Sequence, residues 1–159
     1  LQIQKTSLYQ VENVSLAVTA FRMLMERRNV PEQDIEKTVR NALLQFYWEG
    51  RMEEIAPHIY VDGAHNVEAV NAYIETMNRL HGEYDKILVF AAVKADSAKL
   101  AEIFSACTDT PVMVSDEIDD AMDMAVELRG DRENTNIYCV GSLYLVGGVK
   151  RWRNRHDQF

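Results

Sequence analysis

Residues 86–93 read Lys-Ile-Leu-Val-Phe-Ala-Ala-Val, apolar at every position after the lysine, and this run constrains the fold more than any other stretch. A strand reads this way when both of its faces are covered, the habit of parallel sheets clothed by helices on each side. The surroundings keep the matching rhythm. Short apolar runs at 59–61, 111–114 and 136–140 read as further strands. Periodic segments at 68–80, 97–107 and 119–129 read as helices, and a last helix begins near Leu143. In the first of these, Ala69, Val70, Tyr73, Met77 and Leu80 share one face; in the second, Leu100, Ile103, Phe104 and Cys107 do. Four strand-to-helix units in succession predict an α/β domain over 51–159, with a Rossmann-like, mainly parallel sheet flanked by helices.

Residues 1–50 carry a different pattern. Val14, Ala17, Val18, Phe21 and Met25 mark one amphipathic helix. Ile35, Thr38, Val39, Ala42, Leu43 and Phe46 mark a second, after a break at Arg28-Asn29-Val30. Pro31 suits the first turn of that second helix, and Glu32, Asp34 and Glu36 put negative charge at its positive end. Two such helices offer too little core to stand alone, so the segment reads as the tail of a preceding domain. The start, Leu1-Gln2-Ile3, has neither an initiator Met nor a signal-like apolar run, which suggests a piece cut from something longer.

Charge and cysteine usage narrow the function. A net charge of -8 repels a phosphate backbone, so nucleic-acid binding is disfavoured despite the basic tail Lys150, Arg151, Arg153 and Arg155. No apolar run reaches the roughly 20 residues of a membrane span, so no membrane partner is expected and the location is read as cytoplasmic. Cys107 and Cys139 lack the spacing of a zinc or redox pair and read as buried reduced thiols.

Ligands of open parallel sheets bind beyond the carboxyl ends of the strands. The polar residues there are Asp62, His65 and Asn66 after the first strand, Lys94 and Asp96 after the second, Ser115 and Asp116 after the third, and Ser142 after the fourth. Gly63 and Gly141 lie in the same turns. Asp62-Gly63-Ala64-His65-Asn66 packs a carboxylate, an imidazole and an amide into five residues. Such a turn can present N–H groups to an anion, while Asp62 or Asn66 can equally serve as a helix cap. Arg51 taken alone suits a surface pairing with Glu53 or Glu54, and Ser142 a simple helix cap. The acidic stretch Asp116, Glu117, Asp119, Asp120 and Asp123 reads as a solvated helix start rather than a metal site.

Four stretches appear in order: Tyr9-Gln10-Val11-Glu12-Asn13, Trp48-Glu49-Gly50-Arg51-Met52-Glu53, Asp62-Gly63-Ala64-His65-Asn66, and Gly141-Ser142-Leu143-Tyr144. Together they resemble the successive YQxxN, WxGRxE, DGAHN and GSLY motifs of the folylpolyglutamate and dihydrofolate synthases, members of the Mur ligase superfamily. The resemblance implies an ATP-dependent amide ligase that joins glutamate to a folate or pteroate carboxylate through an acyl phosphate. It implies that 1–50 is the helical tail of a central ATPase domain and 51–159 the Mur-type carboxy-terminal domain. No G-x-x-x-x-G-K-[ST] occurs here, so the P-loop, and with it most of the Mg²⁺ ligands, is expected in an amino-terminal domain of the same polypeptide.

Residue by residue, the resemblance implies that Asn13, Arg51 and Asp62 serve the nucleotide, with Arg51 reaching the transferring phosphate and Asp62 the ribose. It implies that His65, a catalytic candidate with Arg51, joins Ser142 and Tyr144 in placing glutamate. Val67 stands where the family commonly has Pro, a change of little consequence in a first turn. Val93-Lys94-Ala95-Asp96-Ser97 replaces the usual DKD, which leaves the register of Lys94 and Asp96 open. Competing readings are another Mur-type ligase, or a binding module of Rossmann-like shape with no chemistry.

Overall fold

The computed structural model describes residues 7–91, 97–107 and 115–156. The chain divides into two compact units, 1–49 and 50–159.

The first unit is a helical pair, α1 (Leu8–Arg27) and α2 (Glu32–Leu44). Val14 of α1 is buried with Ile35, Val39 and Leu43 of α2, and Val18, Phe21 and Met25 pack beside them. The break falls as expected, with Asn29 in the left-handed region at φ 56°, a conformation that asparagine tolerates better than most residues. Pro31 sits one position earlier than expected, as the N-cap of α2 rather than in its first turn. Thr38 and Ala42 are exposed rather than inward. Leu16, Met23 and Leu24 of α1 remain exposed.

The second unit is a sheet between two helical layers. Its elements are β1 (Glu53–Ala56), β2 (Ile59–Asp62), α3 (Val67–His81), β3 (Asp85–Phe90), α4 (Ser97–Ser105), α5 (Ile118–Arg129), β4 (Thr135–Val140) and α6 (Leu143–Arg155). The strand order is β1-β2-β4-β3, with β2, β4 and β3 parallel and β1 antiparallel to β2. The mainly parallel α/β sheet is thus present, but with an antiparallel edge that the sequence reading lacked. Its residues are Glu-Glu-Ile-Ala, too short and too charged to read as a strand, which is how exposed sheet edges are commonly built. The turn into β2 uses His58 at φ 65°. The expected strand at 111–114 lies outside the described residues.

Alternation along the central strands explains their unbroken apolar character. Ile59 and Val61, Ile137 and Cys139, Ile87 and Val89 face one helical layer, burying against Met122, Leu145, Val149 and Trp152. Tyr60, Tyr138 and Val140 face the other, against Val70, Tyr73, Met77, Leu100 and Phe104. Each fully buried side chain of this size contributes about 1.5–3 kcal/mol. Cys139 is buried and Cys107 half-buried, and both are free thiols. No helix among the described residues is long and apolar enough to cross a membrane.

Candidate functional site

The three parallel strands end together, because Asp62 and Phe90 both pair with Val140. The turns after β2 and β4 therefore share one rim of the sheet, and the turn after β4 is held tight. Gly141 stands at φ 130°, and a Cβ there would lie 2.4 Å from the Ala91 carbonyl oxygen. Only glycine fits.

The loop that enters β1 reaches the same rim. Gly50 at φ 65° and Met52 at φ 50° bracket Arg51 with two left-handed residues. Each carries an N–H held by a carboxylate: Gly50 N–H donates to Glu53 Oε2 at 2.6 Å, and Met52 N–H to Asp62 Oδ2 at 2.8 Å. The Gly50 carbonyl accepts from Gly63 N–H at 2.9 Å and from Arg51 Nη1 at 3.1 Å. The guanidinium thus lies over Gly63, where a Cβ would be 2.6 Å from Nη1 and 2.5 Å from Leu143 Cδ2. Three of the four sequence motifs meet at this glycine. The expected surface pairing of Arg51 is absent: among the described residues it forms no ion pair, while Glu53 pairs with Lys150 at 2.8 Å.

Asp62 is completely buried. Its Oδ1 accepts from Ala64 N–H at 2.8 Å, so both carboxylate oxygens take main-chain donors and fix the turns on either side. Capping of α3 falls instead to Asn66, whose side chain accepts from Ala69 N–H at 2.8 Å. Val67 follows as the first helical residue. His65 is exposed, with Nδ1 2.9 Å from the Gly63 carbonyl. A carbonyl only accepts, so Nδ1 is the donor in this contact, and in the neutral ring Nε2 is then the acceptor. Ser142 is nearly buried and caps α6, its Oγ accepting from Leu145 N–H at 3.0 Å. That leaves the hydroxyl hydrogen to donate. Tyr144, in the first turn, is 82% exposed and so stands clear of the core. The N-termini of α3 and α6, each bearing partial positive charge, open onto this rim.

Arg51, Asp62, His65, Ser142 and Tyr144 thus belong to one edge of one unit. Asn13 belongs to the first unit, where it is exposed on α1 and its Nδ2 donates to Gln10 Oε1 at 3.3 Å. Lys94 and Asp96 lie outside the described residues. Ser115 and Glu117 close a local turn before α5, whose acidic first turn holds Asp119 and Asp120. Among the described residues, no group of three His, Cys, Asp or Glu side chains could hold a metal ion. The residues that the sequence reading missed are Glu53 and Lys150. Glu53 was visible as the last letter of WxGRxE, whereas Lys150 read as part of a basic tail.

A rim at the carboxyl ends of parallel strands that carries a glycine-borne arginine and two helix N-termini presents donors and positive charge of the kind an anion can take, on an α/β scaffold. Residues 50–144 match the family described as Mur ligase, glutamate ligase domain, and the chain belongs to that family. It is 33% identical to the dihydrofolate synthase/folylpolyglutamate synthase of Bacillus subtilis (strain 168), over 90% of this chain and 39% of that protein. It is 27% identical to the folylpolyglutamate synthase of Lacticaseibacillus casei, over 95% of this chain and 40% of the relative. The chain therefore spans about two fifths of the length of these relatives. A solved FPGS-AMPPCP-folate complex superimposes with a TM-score of 0.77 at 24% identity, covering 98% of this chain and 38% of that one. At that identity the likeness speaks for the fold.

Proposed function

We propose that this chain is the carboxy-terminal, glutamate-binding part of an ATP-dependent folylpolyglutamate or dihydrofolate synthase, working in the cytoplasm. Residues 1–50 would be the helical tail of its central ATPase domain. The observation that carries the reading is the meeting of Arg51, Gly63 and Leu143, one from each of three motifs, beside the turns that bear His65 and Ser142. The names of the relatives, and the AMPPCP and folate held in the similar complex, support ATP and a folate as substrates.

ATP, when bound, supplies the phosphoryl group that activates the acceptor carboxylate. A carboxylate oxygen of the folate or pteroate attacks the γ-phosphorus, ADP leaves, and an acyl phosphate forms. The amine of glutamate then attacks the acyl carbon, the amide bond forms, phosphate departs and the nitrogen gives up one proton to solvent or a base, keeping the other as the amide N–H. Arg51 carries a charge that never titrates and a forked set of donors, which suit the negative charge gathering on the phosphoryl oxygens. Asp62, which the resemblance assigns to the ribose, is buried with both carboxylate oxygens on main-chain N–H groups, and serves the nucleotide side by fixing the amides of Met52 and Ala64. Asn13 is assigned to the nucleotide as well. The Ser142 hydroxyl and the α6 N-terminus hold a glutamate carboxylate, and Tyr144 flanks them. His65, donating through Nδ1 to the Gly63 carbonyl, offers Nε2 of the neutral ring to an N–H of the incoming glutamate amine and orients its lone pair for attack. Mg²⁺ accompanying ATP would be held mainly by the amino-terminal domain; among the described residues no group of three His, Cys, Asp or Glu side chains could hold a metal ion.

The test is ADP release by the full-length parent, titrated with dihydropteroate and with a reduced folate in the presence of glutamate. Glutamate-dependent ADP release with at least one of them is expected. Release with neither, alongside turnover of a different acceptor, would move the chain to another Mur-type ligase. Residues 1–159 alone are expected to give no glutamylation, because the P-loop is not among them.

A further inference from the structure

Arg51 lies in a loop, and long side chains on loops lose their aim unless the backbone beneath them is fixed. Its forward neighbour, Met52, is pinned by the buried carboxylate of Asp62. The backward neighbour, Gly50, is pinned by Glu53, whose side chain is only 10% exposed. One oxygen, Glu53 Oε2, accepts both the Gly50 N–H at 2.6 Å and Lys150 Nζ at 2.8 Å. Lys150 comes from α6, the helix that Ser142 caps and that carries Tyr144 in its first turn, both assigned to the proposed glutamate side. The pair therefore ties the arginine loop to that helix. Gly50 adds a steric reason for the same geometry: its φ of 65° is unfavourable for other residues, and a Cβ would press on Val146 of α6 at 3.3 Å.

We propose that Glu53, anchored by Lys150, is a positioning residue that holds Arg51 in line with the transferring phosphoryl group and couples that aim to α6. The proposal rests on the assignment of Arg51 to the phosphoryl group. Charge-assisted hydrogen bonds to a nearly buried carboxylate are strong enough to fix a loop of this size. Glu53 grips the main chain next to Arg51 and the side chain of Lys150, so its effect is expected to pass through the loop that carries Arg51.

The experiment is a double-mutant cycle in the full-length enzyme, with kcat and the KM values for ATP and glutamate measured for each variant. Glu53→Ala is expected to lower kcat at least tenfold and leave both KM values within about twofold. Glu53→Gln, which keeps an acceptor for the Gly50 N–H, is expected to recover most of that loss. In an Arg51→Ala background, Glu53→Ala is expected to cost nothing further. Wild-type kcat in Glu53→Ala, or an equal loss with and without Arg51, would overturn the proposal while Arg51→Ala remains slow. If Arg51→Ala itself turns over at the wild-type rate, the phosphoryl assignment falls first and this proposal with it. Should Glu53→Ala fail to fold, Lys150→Met takes its place in the cycle: a several-fold kcat loss that vanishes without Arg51 is expected, and no loss contradicts the anchor.

Discussion

The two ends of the central strands hold polar groups in opposite ways. At the amino end, His58 Nδ1 lies 2.9 Å from Asn136 Oδ1, Asn136 Nδ2 donates to Tyr138 Oη at 2.9 Å, and Tyr138 Oη lies 3.0 Å from His81 Nδ1. One assignment satisfies every group: His58 donates to Asn136, Asn136 donates to Tyr138, and the tyrosine donates to His81. Rings of Tyr60 and Tyr84 pack around this chain. Side chain answers side chain, and Tyr138 and Asn136 are buried. At the carboxyl end the main chain does the answering. Asp62, Asn66, Ser142 and one nitrogen of His65 are engaged by backbone groups, which leaves Arg51, His65 Nε2 and the Ser142 hydroxyl hydrogen with capacity to spare. Buried side chains that satisfy one another suit a structural role, whereas groups that the backbone orients and leaves with spare capacity suit a ligand.

Substitutions at the two ends should separate accordingly. The largest effect is expected from Arg51→Ala in the full-length enzyme, a fall in kcat of roughly 10²- to 10³-fold with little change in glutamate KM. Steady-state kinetics check it, and a wild-type kcat would return Arg51 to the surface. Next comes Gly63→Ala. Its new methyl meets the ends of two flexible side chains, Arg51 and Leu143, rather than backbone. The fold is therefore expected to survive while the displaced guanidinium costs about 10²-fold in kcat. Circular dichroism together with kinetics distinguishes that from simple unfolding.

At the closed end the expectation reverses. Tyr138→Phe leaves Asn136 Nδ2 and His81 Nδ1 without the hydroxyl and should cost about 1–3 kcal/mol of stability, with kcat unchanged. A denaturant titration at neutral pH measures it. The smallest effect concerns alkaline pH. Burial pushes the Tyr138 phenol up to about 12 from its ordinary value of 10.0, while the Asn136 hydrogen bond opposes the shift in part. The folded state thus favours the neutral phenol, a contribution fully present below pH 10 and lost as pH rises through 12. Stability should fall over that window, and less steeply in Tyr138→Phe. Parallel slopes for the two proteins would show that Tyr138 does not report on the closed end.

The sequence carried the fold where periodicity is strong, and it failed where tertiary contacts decide. The run at 86–93 announced a strand covered on both faces, and β3 (Asp85–Phe90), packed on both sides by helices, realises its first part, while residues 92 and 93 lie outside the described residues. The pair Glu53-Glu54 hid β1, because edge strands advertise charge rather than alternation. The order β1-β2-β4-β3 was not legible either, since the register of Asp62 and Phe90 on Val140 is long-range. At the site, the residues were legible from their motifs but their partners were not. Nothing local in Asp62-Gly63-Ala64 says that the carboxylate turns inward onto Met52, ten residues earlier, or that Arg51 lies across the glycine.

The central claim is that the carboxyl end divides its work, with Arg51 on the phosphoryl side and Ser142 and His65 on the glutamate side. The most direct measurement is the pair of KM values, for glutamate and for ATP, in full-length Ser142→Ala and His65→Ala. Each substitution should raise the glutamate KM about tenfold, as loss of one hydrogen bond to a charged group does, and leave the ATP KM nearly unchanged. Equal weakening of ATP and glutamate by Ser142→Ala would contradict the division and reduce Ser142 to the cap of α6.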